Sequence, residues 1–103
     1  MDAEGRIVGS DSDGLCPRFL LGRAVEGCIW RFGRGVPDTL VVVVAKLAGR
    51  EPGLGERAAG SAPPPERLAA IERVFAREGA SLALRRELVE HEGVVVGELW
   101  IGV

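Results

Sequence analysis

Residues 40–44, one leucine followed by four valines, form the most prominent hydrophobic run of the chain. The run follows Pro37-Asp38, precedes Gly49, and is too short to cross a membrane. β-branched side chains lose rotamer freedom in a helix and pack well on a pleated sheet. The pattern therefore predicts a strand that is buried on both faces near the centre of a sheet.

Residues 19–32 mix apolar, aromatic and arginine residues around two interior glycines. Glycine inside a strand is typical of a bulge or bend, so this segment predicts one long, bent strand. Segment 33–38, which contains glycine and proline, then predicts a hairpin loop that leads into the valine run. Residues 1–14 are expected to be loosely ordered, with residues 6–8 as a candidate extra strand.

Residues 65–79 predict an amphipathic helix, because apolar residues recur at i, i+3 and i+7 and a glycine is placed to end it. The preceding segment 49–64 is rich in glycine and proline and predicts a flexible loop. The apolar stripe of the helix consists of Leu68, Ile71 and Phe75, and its polar face carries Glu66, Arg73 and Arg77.

Residues 94–101 predict a strand with a bulge near Gly97. Two interpretations are open for residues 81–90. Residue propensities favour a helix capped by Ser81, whereas the turn Glu92-Gly93 before three valines favours a strand that forms a hairpin with 94–101. We adopt the hairpin.

These elements predict a single α+β domain over residues 1–103. It is a two-layer arrangement with an antiparallel sheet of four to five strands and one helix packed on one face, in the order ββ(β)-loop-α-ββ. A chain of 103 residues is long enough to bury a core of its own. The uncovered sheet face would carry apolar residues that a second copy or a partner covers. Both this architecture and the expected dimer depend on the valine run as the central strand.

Composition narrows the classes of function. Hydrophobic residues make up 47% and charged residues 27%, which is typical of a globular protein. The net charge of −2 provides no field for a polyanion, so nucleic-acid binding is not expected. The acidic start lacks the apolar region of a secretory signal, and no segment has the roughly 20 apolar residues of a membrane span. A cytoplasmic protein is predicted.

Cys16, Cys28 and His91 are the only cysteine and histidine residues of the chain. A structural zinc site normally takes four ligands with paired spacing, which these residues lack. A cysteine–histidine nucleophilic pair needs only proximity in space. However, Cys28 is expected to pack as a small core residue and His91 to lie in an exposed turn. We predict no catalytic residues, metal or cofactor. These residues favour a protein that is not an enzyme, and the question of catalysis stays open at this point.

Arginine and tryptophan supply the candidate binding residues. Arg23 and Arg31 would share a face of an unbroken strand, beside Trp30, in a pattern that suits anions or stacked bases. The same pattern also suits a solvated face whose charges guard a sheet edge. A tryptophan that faces inward belongs to the core, and one that faces outward anchors an interface, which applies equally to Trp100.

A second candidate is the pair Arg73 and Arg77, one helical turn apart. Like charges at this spacing slightly destabilise a helix, and the pair indicates an acidic partner.

Three functional hypotheses follow. The first is a small cytosolic protein-interaction or regulatory domain that acts as a homodimer, or as a subunit of a larger complex, through its uncovered sheet face or an edge strand. The second is a binding or lyase-type domain for a small organic anion, with Arg23 and Arg31 as anion-binding groups and loop 49–64 as a lid. The third takes residues 66–92 as two helices before a β wing, which gives a winged-helix nucleic-acid module.

Overall fold

The computed structural model describes residues 17–55 and 62–103, and the statements below concern these residues. The described residues have an α+β fold with one four-stranded antiparallel sheet and two helices. In chain order the elements are β1 (Phe19–Ala24), β2 (Gly27–Phe32), α1 (Asp38–Ala48), α2 (Leu68–Arg77), β3 (Leu84–His91) and β4 (Val94–Gly102).

The sheet consists of two hairpins joined side by side, in the strand order β2-β1-β4-β3. β1 and β4 are antiparallel central strands, so both hairpin turns lie at the same end of the sheet. The second turn has positive φ at both central residues, 51° at Glu92 and 80° at Gly93. A two-residue turn of this type matches the twist of the strands that it joins.

Alternate strand residues point to opposite faces of the sheet. The inner face carries Phe19, Leu21 and Phe32, and both helices pack on it. The Phe19 ring lies 5.5 Å from that of Phe32 and 6.0 Å from that of Phe75, which joins the two hairpin strands to α2. Within residues 17–55 and 62–103, the core contains these side chains together with Val36, Leu40, Val44, Ala48, Leu68 and Ile71.

The valine run does not form a strand, and the prediction of a central buried strand at 40–44 is wrong. The run lies in α1, where Leu40, Val44 and Ala48 are buried at helical spacing. Val42 and Val43 are 55% and 47% exposed. Burial of one helical stripe on the sheet outweighs the modest β preference of valine.

Segment 33–38 consequently leads into a helix, not into a strand. The helix begins with the carbonyl of Pro37, which accepts hydrogen bonds from the N–H groups of Leu40 and Val41. Asp38 in the first turn complements the positive end of the helix dipole.

The expected long, bent strand at 19–32 is instead the β1–β2 hairpin, with Val25 and Glu26 in its turn. The loop after α1 packs against this turn, where the Leu54 N–H donates to the Ala24 carbonyl at 2.8 Å. A Cβ at Gly53 would lie 2.4 Å from the backbone nitrogen of Gly27, so this contact requires glycine.

The structure confirms the predicted helix α2 and the predicted C-terminal hairpin. α2 buries Leu68, Ile71 and Phe75 as expected, and residues 84–91 form a strand and not a helix. A register shift leaves Val96 as the extra residue of a bulge beside Gly97. In the described part of the chain, the helical layer holds two helices instead of one. The suggested fifth strand at 6–8 and the loosely ordered segment 1–14 lie outside the described residues.

Adjacent valines of α1 provide a test of its helical state. Val44→Ala removes buried methyl groups and is expected to lower the free energy of unfolding by about 2 kcal/mol. Val43→Ala is the matched control, expected to raise it by a few tenths of a kcal/mol, because alanine is the better helix former at an exposed position. Urea denaturation measures both. Equal destabilisation by the two substitutions would contradict a helix at this position.

Candidate functional site

The outer face of the sheet contains an apolar groove. Its floor is formed by residues with little or no side chain, and aliphatic side chains rise on either side of it. The groove has a volume of about 380 Å³. We define the outer groove by its floor residues Gly22, Ala24, Gly27 and Gly97 and its wall residues Ile29, Val89, Val96 and Leu99.

Packing explains why glycine occupies the floor. A Cβ at Gly22 would lie 3.1 Å from Cδ2 of Leu99 and 3.2 Å from Cγ1 of Ile29. A Cβ at Gly97, beside the bulge of β4, would lie 2.7 Å from the carbonyl oxygen of Arg23. Any larger residue at these two positions would push the strands or the wall side chains apart.

The groove lies within a larger exposed apolar surface. Ile29, Val89 and Val96 are exposed on its walls. Val25 and Val94, in and beside the two hairpin turns, are 61% and 62% exposed. Neither described helix packs on this face of the sheet. Exposed apolar side chains clustered around a groove are typical of an interaction surface.

A buried charge cluster lies on the inner face below the same strands. Nε of Arg23 donates to Oε1 of Glu98 at 2.5 Å, and Nε1 of Trp100 donates to the same oxygen at 3.0 Å. Nε of Arg86 lies 3.0 Å from Oε2 of Glu98, although its N–H does not point at that oxygen. The Arg23 and Glu98 side chains are at most 1% exposed. The cluster ties together three adjacent strands, β1, β4 and β3.

The same end of the inner face also holds the chain on both sides of segment 56–61. Nη2 of Arg23 donates to the carbonyl of Pro63 at 2.6 Å. The buried carboxylate of Glu51 accepts the backbone N–H of Arg67, at the start of α2. A carboxylate at a helix N-terminus also interacts favourably with the helix dipole.

The structure separates the two arginines that the sequence places on one strand face. Arg23 belongs to the inner face, where it forms a buried ion pair with Glu98. Arg31 pairs with Leu20 in the sheet register and belongs to the outer face, and its Nη1 donates to the carbonyl of Trp30 at 2.7 Å. They lie on opposite sides because the turn places them on different strands of one hairpin.

The remaining predicted binding residues lie apart from the groove. Trp30 and Trp100 are both partly buried on the inner face, where each pairs with Leu21. Arg73 and Arg77 lie on the exposed side of α2. None of the groove-wall residues is among the binding residues predicted from the sequence, although glycine alternating with large apolar residues within strands is a recognisable pattern.

Cys28 and His91 lie on the two edge strands, β2 and β3, separated by both central strands. The Cys28 thiol donates to the carbonyl of Pro52 at 3.2 Å. Burial raises the pKa of this thiol, Glu51 adds to the increase, and Arg23 opposes it. The thiol is therefore protonated at neutral pH and a poor nucleophile. Cys16 lies outside the described residues.

Residues 17–55 and 62–103 contain no group of three or more metal-binding side chains. No helix in these ranges has the length and apolar character needed to cross a membrane. Comparison with protein-family models, with curated proteins and with solved structures finds no match to the chain. Its function is therefore inferred from the geometry described above.

The buried cluster leads to a stability prediction. Glu98→Gln is expected to lower the free energy of unfolding by about 3 kcal/mol or more, because it leaves buried arginine charge uncompensated. The matched control is Glu87→Gln, which removes an exposed ion pair with Arg85 at 3.3 Å and should change stability by less than about 1 kcal/mol. Urea denaturation compares the two. Similar small losses would show that Glu98 does not stabilise the fold.

The raised pKa of Cys28 leads to a reactivity prediction. In a Cys16→Ser variant, alkylation of Cys28 by iodoacetamide is expected to be slow at neutral pH and still accelerating above pH 9.0, the ordinary value for this group. Denatured protein provides the reference rate at each pH. A plateau in the native rate below pH 9.0 would contradict a thiol whose protonated form is favoured by burial.

Proposed function

We propose that the chain is a protein-interaction domain that forms a homodimer through the outer face of its sheet. The observation that carries the proposal is the outer groove, an apolar depression beside exposed aliphatic side chains on a face that neither described helix covers. The valine run is not a strand, but the outer face does not depend on it, because β1 and β4 form the centre of the sheet.

A second copy is favoured as the partner because the face is complementary to itself. Ile29 and Leu99 stand in one row across the strands, and Gly27, Ala24 and Gly97 lie in the next row towards the turns. Because large residues lie beside small ones, the row with Ile29 and Leu99 in one copy can lie over the row with Gly27, Ala24 and Gly97 in the other. A two-fold axis makes both contacts at once, as isologous interfaces do.

The size of the face indicates a reversible dimer. Four strands give a width of roughly 19 Å, and the face extends roughly 20 Å along them. The two copies together would bury on the order of 800 Å² from these dimensions, which is typical of weak and transient interfaces. We therefore expect a dissociation constant in the micromolar range or weaker, so that concentration regulates assembly.

The two alternative functions have less support. An organic-anion site built from Arg23 and Arg31 requires them to converge, and they lie on opposite faces of the sheet. A winged-helix module requires a second helix where β3 lies. The expected cytoplasmic location stays a prediction.

Sedimentation equilibrium of the full chain, from about 1 μM to about 1 mM, tests the proposal. The wild-type protein is expected to show a monomer–dimer equilibrium. Val96→Glu places a charge on the groove wall and should abolish the dimer, because burial of an unpaired charge is strongly unfavourable. Val42→Glu, on the exposed side of α1, is the matched control and should leave the dimer intact.

Circular dichroism and urea denaturation check that both variants fold. A wild-type protein that stays monomeric throughout the concentration range would overturn the proposal. So would equal dissociation by the two substitutions.

A further inference from the structure

The outermost strand, β3, forms an open edge of the sheet. In the described part of the chain, β3 ends the strand order and pairs with β4 alone. Ala83 and Val103 exchange backbone hydrogen bonds in both directions at 3.0 Å, which identifies them as a bonded pair of the ladder. Because bonded pairs alternate along antiparallel strands, the N–H and C=O groups of Leu84, Arg86 and Leu88 point away from β4. They form a row of donors and acceptors that can pair with a further strand.

The opposite edge of the sheet, β2, is partly covered by the loop that follows α1. The Cys28 thiol donates to the carbonyl of Pro52, and Gly53 lies directly against the backbone of Gly27. No described loop or helix covers β3 in this way, and Leu88 on its inner side is 48% exposed. A partner strand therefore has access to β3.

The Arg86 side chain gives the open edge a chemical preference. It lies on the inner face beside the carboxylate of Glu98, which already binds Arg23, so two arginines share one buried carboxylate. Nε of Arg86 and Oε2 of Glu98 are both buried without a hydrogen bond. The Arg86 side chain as a whole is 27% exposed. A carboxylate from outside can therefore reach this guanidinium and compensate the excess positive charge.

The neighbours of Arg86 on the same side of β3 define the rest of the preference. Leu84 and Leu88 flank it at alternate positions, and the exposed Glu90 follows. A strand that pairs antiparallel with β3 places its own side chains directly opposite these four. A carboxylate suits the position opposite Arg86, apolar side chains suit those opposite the leucines, and a basic side chain suits the one opposite Glu90.

A second copy of the chain fits this edge less well. Antiparallel pairing of β3 with itself sets Arg86 opposite Glu90 only where the two Leu88 residues lie opposite one another. Leu84 then lies opposite Glu92, which has positive φ in the hairpin turn and does not continue a strand. A separate extended segment can instead pair along the whole of this stretch.

We infer that β3 binds an extended segment of a partner protein by antiparallel strand addition, and that this segment carries a basic, an apolar, an acidic and an apolar residue at alternate positions. In that order they lie opposite Glu90, Leu88, Arg86 and Leu84. Main-chain hydrogen bonds provide affinity in this mode of recognition, and alternate side chains provide specificity. The edge is a second binding surface of the proposed interaction domain and is separate from the outer groove.

A synthetic peptide, acetyl-KTLTETLT-amide, tests strand addition when it is titrated into the isotope-labelled full chain and followed by NMR. The backbone amide signals of Leu84, Arg86 and Leu88 are expected to shift most. N-methylation of the peptide glutamate removes an N–H that points at β3 and should weaken binding roughly tenfold or more. N-methylation of the threonine after it, whose N–H points away, is the matched control and should have little effect.

Protein variants test the side-chain preference. Arg86→Gln should weaken binding of the peptide roughly tenfold, because it removes a charge-assisted contact with the peptide glutamate. Arg73→Gln, on the exposed side of α2, changes net charge equally and should have no effect. Glu90→Lys should weaken binding of the same peptide and restore it for ETLTETLT, which fixes the direction of the added strand. The NMR spectrum of each variant shows that it is folded.

The outcomes separate this surface from the proposed homodimer. Absence of shifts up to about 1 mM peptide, or equal effects of the two N-methylations, would overturn the inference and leave the homodimer standing. Wild-type assemblies larger than a dimer that Glu90→Lys dissociates would show that a second copy occupies the edge, and would also overturn it. Val96→Glu, which should abolish the proposed dimer, is expected to bind the peptide as the wild type does.

Discussion

The antiparallel pairing of β1 with β4 is the contact on which the rest of the structure depends. Each hairpin closes through a local turn, but only this pairing unites them into one sheet. Arg23 and Glu98, which are 75 positions apart, are direct partners in it and form a buried ion pair. A slip of one residue between β1 and β4 would put the two side chains on opposite faces of the sheet and break the ion pair, so the ion pair favours a single register.

This register determines both faces of the sheet. On the inner face it aligns Phe19 and Leu21 with the aromatic residues that meet the helices. On the outer face it brings together Gly22, Gly27 and Gly97, which belong to three different strands. The groove is therefore a product of strand pairing and not of any single segment.

The sequence predicted the elements whose local pattern agrees with their tertiary role. α2 separates its apolar and polar residues cleanly, and Glu92-Gly93 supplies the positive φ angles that a tight hairpin needs. α1 was missed because its residues are apolar on almost every side, so that only packing on the sheet selects the buried stripe. The first hairpin was missed because Val25-Glu26 lacks the residues typical of turns. With that turn unrecognised, Arg23 and Arg31 could not be assigned to opposite faces.

The exposed valines of α1 have a consequence for folding in the cell. A helix of β-branched residues has little intrinsic stability and depends on contacts with the sheet to persist. If α1 detaches, it releases a stretch without proline or charge at residues 40–44, which is the type of segment that stacks into intermolecular cross-β structure. Docking of this helix therefore protects the protein from irreversible aggregation.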